Sequence, residues 1–343
     1  MLADRGADGF VTDFRHREHG PADGLRAVAE GRQPLPYPDG WFAVGFSREL
    51  KPGDVRVVRF MGGDLVVYRT HAGVAHAVTP YRPHPGARFA HGGKVDGERL
   101  VGPFHRLSLA PEGVCVGTGT GQASPRPTLE TWRVQERSAM VLVWRDHAGR
   151  APAWEMPETD LSGFSPPKSS CYELAGYAHD IGENSADASH FAWLHGFTDV
   201  SMSYETERYR MAFNLSGCWH GVRIEMRLTT HGLGHVLGES NVPSLGIRTK
   251  TLAFATPTAP LAWTFRWADV MRVGRLDRLP RPLRMVLYTV LISLAHRWFV
   301  TVVRDDFPVW AHRRYVAHPR LMSGEASVAA FRRWMMQFYP ASE

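Results

Sequence analysis

Residues 180–196 read DIGENSADASHFAWLHG, and this stretch carries most of what the sequence says about the fold. Asp187 and His190 are three positions apart, so a helix here places their side chains next to each other. His195 lies five positions after His190, which is about 140° further round an ideal helix. Gly196 follows directly and is typical of the position at which a helix ends and the chain turns. The second histidine can therefore swing towards the first.

Two imidazoles that converge need only one carboxylate to complete a facial triad. Two histidines and one carboxylate, with open coordination positions, are the ligand set typical of non-haem Fe(II). The other interpretation is that His190 and His195 are surface or capping residues, because the chain contains 17 histidines and the spacing alone is loose. The pattern by itself leaves both interpretations open.

The chain from residue 40 onwards is rich in short strand-like runs, separated by turns that contain glycine or proline. Such runs predict a small antiparallel all-β domain over residues 40–150, with a linker-like stretch at residues 145–158. Residues 1–39 are polar and punctuated by glycine and proline, and are predicted to form a loose N-terminal extension. The strand-like runs are residues 41–46, 55–60, 65–69, 74–78 and 140–144.

The second half, residues 151–343, combines longer strands with helices. A run of strands bracketed by helices predicts an α+β domain whose antiparallel sheet is covered on one face. The predicted strands are residues 171–178, 209–216, 222–229, 247–254 and 261–270, and the predicted helices are residues 182–195, 282–303 and 327–338.

An aromatic stripe marks the last of these strands. Leu261, Trp263, Phe265 and Trp267 alternate with other residues and therefore share one face of the strand. Such a stripe is usually core packing, and the alternative is one wall of a pocket for a large apolar ligand. The sequence names no substrate-binding residue.

Length and composition exclude several classes of protein. The 343 residues suit two domains. The net charge of +6 comes from scattered basic residues, which argues against nucleic-acid binding. Three cysteines are too few for a disulfide framework and fit no zinc motif, so buried free thiols in a reducing compartment are expected. The N-terminus has no apolar signal segment, which favours a cytoplasmic protein.

One apolar stretch, residues 285–303, approaches the length of a membrane span. It contains His296 and Arg297, so its uninterrupted apolar part ends at Ala295. This favours a buried or interfacial helix over a transmembrane span. Two interpretations stay open: a core helix with basic ends, or the mouth of a site that admits a lipophilic substrate and rests on a membrane surface.

The pattern Glu183-Asn184-x-x-Asp187-x-x-His190-x4-His195-Gly196 resembles the mononuclear-iron motif of the α subunits of Rieske-type ring-hydroxylating oxygenases. Residues 304–310, 313–315 and 331–339 resemble the C-terminal signature of one branch, the ketosteroid hydroxylases and cholesterol desaturases. The resemblance implies an all-β Rieske-like domain followed by a catalytic domain of the helix-grip type, as in START and Bet v1-like proteins.

The resemblance also implies roles for individual residues. His190, His195 and Asp306 would bind Fe(II), with Asp305 as the alternative carboxylate. The family is a head-to-tail homotrimer in which an aspartate, here Asp187, links the iron to the Rieske cluster of a neighbouring subunit.

Asn184 and Asp187 are therefore the expected catalytic residues. The alternative for Asp187 is a structural role in which its carboxylate orients His190, as hydrogen-bond partners of metal-bound imidazoles usually do.

One further implication of the resemblance is not met by the sequence. A Rieske [2Fe–2S] centre needs two cysteines and two histidines. At the four corresponding positions this chain has Arg82, His84, Gly102 and His105. Arginine has no lone pair to offer and glycine has no side chain, so no [2Fe–2S] cluster is expected. The two histidines are then remnants, and the alternative is a separate two-histidine metal site.

Three functions are compatible with these observations. The first is a mononuclear iron enzyme that hydroxylates, desaturates or oxidatively cyclises a hydrophobic polycyclic or natural-product substrate. Its electrons would come from an external ferredoxin or reductase, or from a Rieske-intact paralogue in a mixed trimer. The second is a non-redox cyclase, isomerase or dehydratase on the same scaffold. The third is a catalytically silent subunit of a hetero-oligomer.

Overall fold

The computed structural model describes residues 32–80, 92–103, 106–118 and 128–341. These residues fall into two compact units. The first unit contains residues 41–157, and the second contains residues 158–341 together with residues 32–40.

The first unit is all-β, and its described part contains three sheets. Their strand orders are β1-β11-β10, β2-β3-β4-β9 and β5-β6-β7-β8. The strands are β1 (Gly40–Phe46), β2 (Val55–Phe60), β3 (Gly63–Arg69), β4 (Ala75–Val78), β5 (Lys94–Asp96), β6 (Arg99–Val101), β7 (Ser108–Leu109), β8 (Cys115–Gly117), β9 (Thr131–Trp132), β10 (Val134–Arg137) and β11 (Met140–Arg145).

The sheet formed around β2 and β3 buries both of its faces. Successive side chains of a strand point to opposite faces. Val58 therefore packs in one core cluster with residues of β1 and β11, while its neighbour Val57 packs in a second cluster with residues of β5 and β6. This explains why both strands carry apolar residues on both faces, as at the consecutive Val57 and Val58.

The second unit is built on a seven-stranded antiparallel sheet of order β12-β18-β17-β16-β15-β14-β13, so its first strand pairs with its last. The strands are β12 (Lys168–Ala175), β13 (Phe197–Glu207), β14 (Arg210–Trp219), β15 (Val222–His231), β16 (His235–Val242), β17 (Ile247–Ala259) and β18 (Ala262–Val273). The helices are α1 (Asp180–Ser185), α2 (Ala188–Trp193), α3 (Arg281–Arg304), α4 (Phe307–His312) and α5 (Ala326–Met335). The predicted fold class, an all-β domain followed by an α+β domain with an antiparallel sheet, is confirmed.

The aromatic stripe of β18 lies in the core of the second unit. Trp263, Phe265 and Trp267 are at most 3% exposed and pack with Tyr172 of β12 and Trp310 of α4. The interpretation of the stripe as core packing is confirmed for these three residues.

The long helix α3 is attached to the sheet by polar side chains as well as by apolar packing. His296 of α3 is 4% exposed, and its Nδ1 lies 2.6 Å from Oδ2 of Asp269 on β18. On the other side of the ring, Nε2 lies 2.7 Å from the hydroxyl oxygen of Ser170 on β12. About two turns towards the helix N-terminus, the Tyr288 hydroxyl accepts a hydrogen bond from the backbone N–H of Val273 (3.1 Å).

The outer face of α3 is exposed, which corrects the interpretation of this segment as a core helix. By length and composition alone, α3 together with α4 could cross a membrane. Only 17% of its most apolar 18-residue segment is buried inside the structure, however. The buried residues of α3 are Tyr288, Ile292 and His296, which share one face. An apolar sequence all round a helix predicts burial, and here the sheet covers one side of it only.

Several sequence expectations need correction in detail. Strands β13 and β16 were not among the predicted segments. Residues 32–39 are not loose, because the Asp39 backbone N–H donates to the carbonyl of Phe338 (2.7 Å) and the Tyr177 hydroxyl donates to the carbonyl of Gln33 (2.8 Å). The cysteines Cys115, Cys171 and Cys218 form no disulfide in the described structure, and they are half-buried instead of buried.

The hydrogen bond between His296 and Asp269 generates a stability prediction. We expect His296→Ala to lower the free energy of unfolding by about 2–4 kcal/mol, because the buried carboxylate of Asp269 loses a partner. Arg297→Ala, an exposed change in the next position of α3, is the matched control and should cost less than about 0.5 kcal/mol. Denaturant unfolding of both variants measures the difference, and equal midpoints would show that the pair does not hold the helix.

Candidate metal centre

The motif at residues 180–196 forms two short helices, not the single helix predicted for residues 182–195. Asp187 separates α1 from α2 and is extended, with φ −104° and ψ 101°. Its carboxylate accepts hydrogen bonds from the backbone N–H groups of Ser189 (2.8 Å) and His190 (3.2 Å). Asp187 is therefore the N-cap of α2, and an N-cap residue must be non-helical.

The chain turns after α2 and returns His195 to His190. Gly196 has φ +71°, a left-handed conformation that glycine adopts without strain. The Nε2 atoms of His190 and His195 lie 3.0 Å apart. The expectation that the turn at Gly196 lets the two imidazoles converge is met.

Asp306 reaches the two histidines from the far end of α3. It is 4% exposed, and its Oδ1 lies 3.4 Å from Nε2 of His190 and its Oδ2 lies 3.7 Å from Nε2 of His195. The neighbouring Asp305 is exposed. Asp306, more than a hundred residues from the histidines in sequence, is therefore the carboxylate that the fold brings to them.

The charge states of these groups are set by burial. Burial lowers the pKa of His190 to about 3 and also lowers the pKa of His195, so both rings are neutral at pH 7. Burial, followed by the charge of Asp305, raises the pKa of Asp306 to about 7. The short distances therefore join neutral imidazoles to a carboxyl group and are not ion pairs. The ring nitrogens of both histidines therefore have lone pairs for a cation, and neither ring carries a positive charge that would repel it.

The donor set and spacing fit a mononuclear iron ion. Two ligands that are each about 2.1 Å from a metal and 90° apart lie about 3.0 Å from one another, close to the separation of the two Nε2 atoms. One atom from each of His190, His195 and Asp306 can be chosen so that all three lie within 4.8 Å of one another. Two imidazoles and a carboxylate on one face form the set that suits Fe(II) with open positions.

Asn184 lies beside this cluster. Its amide Nδ2 donates to Oδ1 of Asp306 (3.1 Å). Asn184 belongs to α1 and Asp306 precedes α4, so this hydrogen bond joins the two parts of the chain that meet at the centre. The structure thus places Asn184 against a ligand side chain, and Asp187 against the backbone of one.

A buried charge cluster behind α1 was not among the predicted site residues. Glu183 contacts the guanidinium groups of both Arg313 and Arg332, the latter at 2.9 Å, and Arg313 also lies 3.3 Å from Asp180. Burial acts to raise the pKa of Glu183, but the two arginines outweigh it and the pKa lies below its ordinary value. Burial raises the pKa of Asp180 to about 7.

This cluster fixes the helix that carries Asn184. Arg332 belongs to α5, and α5 also brings Phe331 against Gly182, where a Cβ would approach the ring to 2.7 Å. The C-terminal segments around Arg313 and Phe331 could have pointed to this cluster. They belong to the resemblance described above, but no role was assigned to them there.

The positions that correspond to Rieske cluster ligands are only partly described. Gly102 is buried, and its backbone N–H donates to the carbonyl of Leu107 (2.9 Å). Arg82, His84 and His105 lie outside the described residues. Of the three cysteines in the chain, Cys115 alone belongs to the first unit. A centre that needs two thiolates therefore does not fit the residues of this unit.

Comparison with solved structures supports the architecture. NdmA from Pseudomonas putida CBB5 superposes with a TM-score of 0.65 at 18% identity, over 87% of this chain and 89% of that chain. Dicamba monooxygenase bound to dicamba superposes with a TM-score of 0.62 at 15% identity, over 89% and 98% of the two chains. At these identities the similarity shows the fold alone.

Sequence comparison finds sterol-related proteins. A cholesterol 7-desaturase from Bombyx mori is 28% identical over 95% of this chain and 76% of its own length. The oxygenase component of 3-ketosteroid-9-alpha-monooxygenase from Rhodococcus rhodochrous is 20% identical over 92% and 87% of the two chains.

Two family profiles match the two halves of the chain. The Rieske [2Fe–2S] domain matches residues 40–133. The C-terminal domain of 3-ketosteroid 9α-hydroxylase matches residues 143–339, more than half of the chain. The chain therefore belongs to the Rieske-type non-haem iron oxygenases, in the branch that carries the 3-ketosteroid 9α-hydroxylase C-terminal domain.

Proposed function

We propose that this chain is the catalytic component of an iron-dependent oxidoreductase in which His190, His195 and Asp306 bind Fe(II). The observation that carries the proposal is the convergence of these three side chains at 3.0–3.7 Å. The third ligand is distant in sequence, so chance proximity of common histidines does not account for the cluster.

We propose a hydrophobic polycyclic substrate, hydroxylated or desaturated at an unactivated carbon. Support comes from the relatives named as a cholesterol 7-desaturase and a 3-ketosteroid-9-alpha-monooxygenase component. Iron bound by two histidines and one carboxylate supplies the oxidising chemistry with O2 that such a reaction needs.

Side chains of this chain set the charge and the orientation of the three proposed ligands. His190 and His195 are kept neutral by burial, so their lone pairs are available at pH 7. Asn184 orients the Asp306 carboxylate through one of its two oxygens. The contacts of Glu183 with Arg313 and Arg332 fix α1, and Asp187 fixes the start of α2.

The electrons for an oxidative reaction would come from outside the chain. Arg82 and Gly102 occupy the positions at which the family has cluster cysteines, so we propose that this chain carries no [2Fe–2S] cluster. An external ferredoxin, a reductase or a Rieske-intact paralogue in a mixed trimer would supply them. A homotrimer and a cytoplasmic location stay predictions from the resemblance.

The missing thiolates also favour a second candidate. A chain without an internal electron store could use the metal as a Lewis acid, or the buried carboxyl groups as acids and bases, in a cyclase, isomerase or dehydratase. Dependence on O2 and reductant separates this candidate from the oxidative one.

The first experiment measures metal in the purified protein. We expect about one iron per chain, no acid-labile sulfide and no Rieske absorption. His190→Ala and Asp306→Ala should each lower the bound iron at least tenfold, because two ligands alone bind weakly. His318→Ala, which alters an exposed histidine, is the matched control. Iron that survives both ligand variants would contradict the site, and two labile sulfides per chain would contradict the missing cluster.

A second experiment tests Asn184. We expect Asn184→Ala to weaken iron binding by about 10–100-fold while the fold is retained, because loss of a partner that orients a ligand has this effect in other metal sites. Competition with a chelator measures the affinity. Asn241→Ala removes an amide that donates to a surface glutamate and should leave the affinity unchanged. Equal affinities in the two variants would mean that the Asn184 amide does not orient Asp306.

A third experiment tests the reaction class. Iron-loaded protein is incubated with cholesterol or a 3-ketosteroid, with a ferredoxin–reductase pair, in air and under nitrogen. We expect product only when both O2 and the electron donor are present. Product formed under nitrogen without the donor would instead support the non-redox candidate.

A further inference from the structure

The outer face of α3 is a continuous apolar stripe. Leu283, Val286, Val290, Leu294 and Trp298 recur every three or four residues, so they lie along one side of the helix. They are between 42% and 63% exposed. Single exposed apolar residues are ordinary on a protein surface, but a stripe along about four turns of one helix is not.

The charged residues of α3 are all positive, although the exposed Asp305 follows the helix directly. Arg281, Arg297 and Arg304 are exposed on α3, and Arg275 and Arg278 are exposed just before it. α3 itself contains no aspartate or glutamate. Within the described part of the chain, these five arginines form no ion pair. Their charges are therefore free to meet an anionic surface.

The stripe cannot cross a membrane while the described fold is intact. The opposite face of α3 holds His296, which bonds to Asp269 and Ser170 on the sheet, and Tyr288, which accepts from the backbone of β18. A spanning helix would have to leave these partners and bury its arginines in hydrocarbon, which is costly. A helix held flat by one face can present only the other face to lipid.

We propose that α3 docks in the plane of an anionic phospholipid surface, with its apolar stripe in the acyl boundary and its arginines on the headgroup phosphates. Apolar and aromatic side chains on one face with arginines beside them are typical of interfacial helices. Trp298, which also packs against Trp219, has the ring type that favours the membrane boundary. A protein partner would need complementary acidic groups; a lipid surface provides them without any fitted shape.

The docked face ends beside the metal centre. Asp306 follows the last residue of α3 by two positions. A lipophilic substrate leaving the bilayer along α3 would therefore reach the neighbourhood of the centre with little passage through water. The docking itself does not require the metal, so the two proposals can fail separately.

The experiment is co-flotation of the full chain with vesicles of phosphatidylcholine alone or of phosphatidylcholine with 30% phosphatidylglycerol. We expect binding to the anionic vesicles and much weaker binding to the neutral ones. The triple change Val286→Gln, Val290→Gln and Leu294→Gln should lower the partition coefficient about a hundredfold. Arg281→Gln with Arg297→Gln should lower it about thirtyfold at low salt, with a smaller effect at high salt.

The matched control changes exposed apolar residues elsewhere, Leu245→Gln with Met322→Gln, and should bind vesicles as the unchanged chain does. Circular dichroism verifies that each variant is folded. Absence of vesicle binding would overturn the proposal, as would equal loss in the control. Sedimentation of the unchanged chain as a dimer that the triple variant abolishes, without vesicle binding, would assign the stripe to a second copy instead.

Discussion

The buried hydrogen bond between His296 and Asp269 fixes α3 on the sheet, and much of the molecule depends on it. Asp306 lies ten residues beyond His296 on the same helix and its extension, so a shift of α3 would move the carboxylate away from the histidines. The same bond determines which face of α3 is covered and which is exposed. A polar contact in an otherwise aromatic core specifies one position of the helix, whereas apolar packing alone would tolerate several.

Two buried clusters in the second unit balance charge in opposite ways. Glu183 meets two guanidinium groups and stays ionised, so side chains of the protein itself balance its charge. In the described part of the chain, Asp306 meets two neutral imidazoles and an amide but no cation, and its pKa rises to about 7. A cation placed between the three side chains would remove that penalty. The two clusters therefore differ in that side chains supply the cations at Glu183, whereas at Asp306 the metal ion proposed above would supply one.

The sequence predicted what local patterns determine. The run at residues 55–60 matches β2 because valine and phenylalanine dominate it, and the two histidines converge because Gly196 permits the turn. β13 was missed although Val200, Met202 and Tyr204 alternate with polar residues, because the pattern is short and most side chains of the strand are exposed. The break at Asp187 was missed because an aspartate inside a helical pattern can cap a second helix as well as continue the first. The exposure of α3 was unpredictable, since the extent of the sheet over it is a tertiary property.

The location of the metal centre bears on how electrons could reach it. His190 and His195 keep 12% and 11% of their side-chain surface exposed, and Trp193, on the same helix as His190, is 90% exposed. An electron donor, whether a neighbouring subunit or a separate protein, must dock on a surface close to such a centre. The oxidative function proposed above needs such a surface near His190, and α2 with the exposed Trp193 is one.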